Sequence, residues 1–201
     1  MRRTALLLLW LPAACNLKLG DPTAQVQRLV ANPADTDAMA DLAVLGSPSV
    51  DPLLAALEDS GLRPELRRAA CATLAVAGEP CAGKMIEYLD RTRHEGMQDA
   101  ILEVMAKGRW MAAVRKLTDR IGHDALGRKA YGALARILAG EEIPRDPWAS
   151  GNPDVEAVAE WNRWVGMNAP RLIKIGLGGS RFGRSEKEAV RERIQAELPG
   201  W

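Results

Sequence analysis

Two histidines stand beside acids, His94-Glu95 and His123-Asp124, at similar turns of the chain. Imidazole next to carboxylate can hold a divalent metal or relay a proton. The geometry works against a shared ion. Zinc donors each lie about 2.0–2.1 Å from the metal, whereas packed helices sit about 8–10 Å apart. Glu95 and Asp124 read more simply as helix caps. Gly176-Leu177-Gly178-Gly179-Ser180-Arg181 could cradle a phosphate, but it has neither the Gly-Lys-Ser/Thr ending of a P-loop nor the spacing of a dinucleotide fingerprint, and reads as a connector. The serines fall mostly at caps and turns, and two histidines offer little for a nucleophilic triad. Arg67, Arg68, Arg128 and Lys129 could line a groove for an anion, yet Asp99 and Glu103 fall on the helix between them, so a mixed, solvated face is expected. No catalytic residue, metal or cofactor is assigned.

The elements behind these residues are set by a period. Gly46, Gly78, Gly108 and Gly140 fall 32, 30 and 32 residues apart, each closing a helix-forming apolar run. A glycine can take the left-handed conformation that ends a helix, and the proline behind it suits the start of the next. Leu53, Leu54 and Leu57 follow Gly46 by 7, 8 and 11 residues, and Met85, Ile86 and Leu89 follow Gly78 by the same steps. Ala113, Val114 and Leu117 repeat that face two positions sooner after Gly108. Ala40–Gly46 and Ala72–Gly78 agree at five of seven positions. Shorter breaks, such as Ser60-Gly61 and Gly122-His123, divide each unit into two helices. Asp21-Pro22 opens the first helix, the aspartate as cap and the proline in the first turn. Each hairpin leaves an apolar face that only a neighbour can cover.

The segments Gly46–Leu57 and Leu66–Ala75 resemble the short bacterial HEAT-like repeats, and the likeness spans roughly residues 22–140. Large aromatic positions of tetratricopeptide units are missing. The resemblance implies an all-α fold, an α-solenoid of about four HEAT-like helical hairpins, and a protein-binding scaffold in which the second helix of each hairpin lines the concave face. Some proteins with such repeats resemble bilin lyases or DNA alkyl-base glycosylases, so the alternative is an enzyme or chaperone-like lyase acting on a bound small molecule or modified protein.

Residues 1–14 read as an export signal: Arg2-Arg3, an apolar run from Ala5 to Leu11, then small residues. The run is shorter than the roughly 20 residues needed to span a bilayer. Leu11-Pro12-Ala13-Ala14-Cys15 resembles the lipobox of bacterial lipoproteins, with Pro12 where leucine is usual. That resemblance implies a lipid on Cys15, a short tether over 15–21, and an exported protein held on a bacterial membrane, periplasmic or at the outer membrane. Formal charge is +1, and −1 once residues 1–14, with two arginines and no acid, are gone. No nucleic-acid partner is expected, because that needs a basic stripe. At 47 % apolar residues the chain can bury a core.

Residues 141–153 carry three prolines and Gly151, and form a strap longer than an ordinary helix connection. Asn152 is expected to cap the next helix, with Pro153 in its first turn and Val158, Trp161 and Val165 on one side. Ser185–Glu188 reads as a capping box opening a last helix through Val190, Ile194 and Leu198. Residues 154–201 are thus expected to form a helical cap on the last hairpin. Trp110, Trp148, Trp161 and Trp164, with the four basic residues above, are the candidate contacts for an unknown protein partner; burial in the core or cap is the other role open to the tryptophans. Cys71 lies about five residues from the point opposite Cys81 in an antiparallel hairpin, about 7–8 Å along the axis. The limit for a disulfide is roughly 7 Å between Cα atoms, so a buried free thiol is expected at Cys71.

Overall fold

The computed structural model describes residues 21–176 and 187–201, apart from the side chains of 124, 125 and 173–176. Cys15 with its expected signal, the expected connector beyond Gly176, and Ser185 and Glu186 of the expected capping box lie outside the described residues. Among the described residues the chain is all-α, with no strand. The helices are α1 (Pro22–Ala31), α2 (Thr36–Leu45), α3 (Val50–Asp59), α4 (Pro64–Ala77), α5 (Ala82–Arg91), α6 (Glu95–Lys107), α7 (Met111–Thr118), α8 (Asp124–Ile137), α9 (Val155–Gly176) and α10 (Lys187–Glu197).

Local chemistry sets the boundaries. The Asp21 side chain accepts from the Thr23 N–H at 3.1 Å, and Pro22 opens α1 where its missing N–H has no intrahelical partner to lose. Gly46 and Gly78 stop α2 and α4 at φ/ψ of 67/−128° and 80/−166°. That region is essentially closed to residues with a Cβ. Each is followed by a 3₁₀ turn, Ser47–Ser49 or Glu79–Cys81, before the next helix.

Gly108 departs from the expected pattern. Its φ is −71°, and Arg109 takes the positive φ, 50°, instead. No proline follows it, so the turn falls one residue later. The glycine serves a close approach here: a Cβ at position 108 would stand 2.2 Å from the Trp110 indole nitrogen. Three expected caps also move. Glu95 and Asp124 are the first residues of α6 and α8, behind His94 and His123. The N-cap of α9 is Asp154, not Asn152: its carboxylate accepts from the Glu156 and Ala157 N–H groups at 2.9 and 3.2 Å. Asn152 lies too far upstream to reach those donors.

Each odd helix packs on the even helix that follows it through α8. Helices α1, α3, α5, α7 and α9 touch in succession, and so do α2, α4, α6 and α8. The core between them holds the repeated apolar residues, Leu53, Leu54, Leu57, Met85, Ile86, Leu89, Ala113, Val114 and Leu117, all buried. Cys71 and Cys81 are both buried and both free.

The segment expected to cap the last hairpin divides. Helix α9 packs on α7, burying Ala157, Trp161, Val165 and Leu172. Helix α10 lies elsewhere, against α2 and α4. Among the described residues no single helix is long and apolar enough to cross a membrane.

Candidate functional site

Two surfaces gather the residues that could meet another molecule. The first is built by the strap and α9. The strap is pinned by indoles: Trp148 donates to the Ile121 carbonyl at 2.9 Å, and Trp161 to the Arg145 carbonyl at 3.0 Å. Arg145 turns its guanidinium to Asp154, Glu156 and Glu160 at 3.2, 3.7 and 3.5 Å. Trp161 meets Tyr131 of α8 edge-on at 5.7 Å between centroids, and Trp164 at 6.1 Å. Outside this pinned layer lies an open hollow of about 520 Å³, walled by Pro144, Glu160, Arg163, Trp164, Gly166 and Met167. Met167, on its wall, is 75 % exposed. Pro170 cannot donate to the Gly166 carbonyl one turn below it.

The four candidate tryptophans therefore differ in role. Trp110, Trp148 and Trp161 retain 1 %, 7 % and 0 % of their exposure and act in packing. Trp164 alone of the four stands half-buried at the rim of the hollow. Met167 was not picked out in the sequence, although its place three residues after Trp164 on one helix puts both on the same face.

The second surface is the face of α2, α4, α6 and α8. Two of the four candidate cations here meet acids of a neighbouring helix pair. Arg67 pairs with Glu103 at 3.3 Å, and Lys129 with Asp99 at 3.0 Å and Glu95 at 3.9 Å. Arg68 and Arg128 are exposed. A hollow of about 310 Å³ lies between α6 and α8, lined by Asp99, Leu102, Glu103, Lys129, Gly132 and Arg136. Beside it, α10 covers α2 and α4. Lys187 pairs with Asp41 at 2.6 Å, Arg191 bonds Asp37, and Val190 and Ile194 are buried. The Arg191 hydrogen bond, then its charge, holds the Asp37 carboxyl below its ordinary range. Lys107 donates to the Gly200 carbonyl and stands 3.8 Å from the centroid of the Trp201 ring.

Burial pushes the Cys71 and Cys81 thiols up to about 12, so neither is a thiolate nucleophile at neutral pH. Burial and the Glu58 carboxylate raise the Tyr88 hydroxyl, which donates to that carboxylate. His94 and His123 are exposed at helix starts. Among the described residues no group of three or more histidines, cysteines and acids could hold a metal ion.

Comparison of this chain with protein-family models, with curated proteins and with solved structures gives no match.

Proposed function

We propose that this chain is a HEAT-like α-solenoid that binds a partner protein without transforming it, carried on a bacterial membrane by a lipid at Cys15. The observation that carries the reading is a recurrent offset in its contacts. Tyr88 reaches Glu58 and Arg120 reaches Asp90 across 30 residues, Glu79 reaches the Met111 N–H across 32, and Thr92 reaches Glu58 across 34. Each contact joins one unit of the period to the next, as stacked repeats require. Such a stack offers broad surfaces, and the hollow beside Trp164 and Met167 has the chemistry of a protein contact: an aromatic and a methionine flanked by Glu160 and Arg163. The export signal and lipidation rest on residues 1–15 of the sequence.

The test is capture from the native membrane by the full-length chain, run beside Met167→Glu. The reading expects one protein retained by the parent and lost with the charged variant, whose helix content stays unchanged. Retention of the same proteins by both variants contradicts the hollow as the contact.

A further inference from the structure

We propose that the face of α2 and α4 is a helix-binding groove, occupied in cis by α10, and that a basic amphipathic helix of a partner protein takes the place of α10 there. The proposal rests on the scaffold reading and adds where and what such a scaffold binds.

The bed is legible from the repeat. Asp37, Ala40, Asp41 and Val44 lie on one face of α2, at i, i+3, i+4 and i+7. Aligning the hairpins by Gly46 and Gly78 sets Ala69, Ala72, Thr73 and Val76 of α4 beside them, and all four are buried. The bed is thus acidic along α2 and small and neutral along α4. Aligning Gly78 with Gly108 continues the row as Asp99, Leu102 and Glu103 of α6, the residues that line the neighbouring hollow.

The occupant is the complement of that bed. On α10, Lys187 and Arg191 lie one turn apart and meet Asp41 and Asp37. Val190 and Ile194, also one turn apart, are the residues it buries, with Leu198 and Trp201 half-buried beyond them. The pattern read by the groove is therefore two bases and two apolar residues, each pair four apart, ending toward an aromatic.

Four features make α10 an exchangeable occupant. It has 11 residues, below the length at which an isolated helix holds itself together in water (roughly 12–15), so its order depends on the dock. It buries two side chains, against four described on α9. Its grip on α2 is through partly exposed ion pairs, which water and salt weaken. The Trp201 indole N–H is buried and meets no acceptor among the described residues, so the seat is imperfect.

The experiment uses the full chain and a fluorescent peptide with the sequence of residues 187–201, followed by anisotropy. Lys187→Glu with Arg191→Glu in the chain should release α10, and the peptide should then bind at least tenfold tighter than to the parent. Asp37→Lys with Asp41→Lys in the otherwise parental chain should also release α10, and that chain should bind a peptide carrying both glutamates and refuse the native one. Equal binding to parent and released chain, or indifference to the charge swap, overturns the proposal. If circular dichroism shows the released chain unfolded, the parent supplies the second arm. Excess peptide must speed amide exchange in residues 187–197 while α2 and α4 stay protected, and no change overturns the proposal. A dimer that forms by exchange of α10 and vanishes with the two glutamates makes a second copy the occupant and overturns the partner helix. Failure of these arms with capture through Met167 intact removes the groove and leaves the scaffold reading standing.

Discussion

Trp161→Ala tests whether α9 belongs to the folded core or hangs from it as an arm. Trp161 is fully buried, edge-on to Tyr131 of α8, and bonded to the Arg145 carbonyl of the strap. Truncating a buried tryptophan costs about 3–5 kcal/mol in lost transfer energy and cavity. Relief is limited at this site, because Tyr131 and Trp164 are themselves fixed on helices. The lost hydrogen bond to the Arg145 carbonyl adds a net contribution of about 0.5–1.5 kcal/mol. Against a whole-domain stability of about 5–15 kcal/mol the change is large. Urea unfolding by far-UV circular dichroism avoids the fluorescence that the substitution removes, and at about 1–3 kcal/mol per molar the midpoint should fall by at least about 1 M. Trp161→Phe keeps a ring against Tyr131 and should lose less than half as much. A double-mutant cycle with Tyr131→Ala should return about 0.5–1.5 kcal/mol of coupling for the ring pair. A Trp161→Ala chain that unfolds within about 1 kcal/mol of the parent refutes the reasoning, because α9 is then not packed as described.

Three further outcomes are expected. Cys71 and Cys81 should resist alkylation in the native protein at pH 8 and react once it is unfolded. Their folded values lie near 12 against an ordinary 9.0, so their contribution is complete below 9 and is lost as pH rises toward 12. At pH 10 each thiol should lower stability by roughly 1 kcal/mol, read as a fall in the urea midpoint. Glu79→Ala should lower stability by about 0.5–2 kcal/mol, because Glu79 accepts from the Met111 and Ala112 N–H groups at the start of α7; an unchanged melting curve removes that cap. Gly78→Ala should cost about 1–3 kcal/mol, seen in the same curve, although the nearest atom to the new Cβ lies 3.8 Å away. With no clash, the loss measures the positive φ alone.

Much of the helical order is legible in the sequence because it is local. Gly46 and Gly78 end helices where their period predicts, and the apolar triplets behind them are buried. Gly108 shows the limit of that reasoning: the letter recurs, but Trp110 rather than Pro follows two residues on, and the turn shifts to Arg109. Spacing sets Trp161 on the apolar side of its helix with Val158 and Val165, but that its indole meets Tyr131 depends on how α9 lies on the helices beneath it. The placement of α10 was least legible. Val190, Ile194 and Leu198 announce an apolar face but not its address, because the address is written in Asp37 and Asp41, far away in the chain. Glu79 was missed for the same reason, its targets being backbone donors one unit further on.

Zero-length carbodiimide cross-linking of the full chain, read by mass spectrometry of its peptides, tests the stacked arrangement most directly. The chemistry joins amines and carboxylates only in contact. The account predicts Asp51–Lys84 and Asp99–Lys129, whose partners lie 3.3 and 3.0 Å apart on successive hairpins, and Asp41–Lys187 from the docked α10. Links confined within single hairpins, with all three of these pairs missing from folded protein, would contradict it.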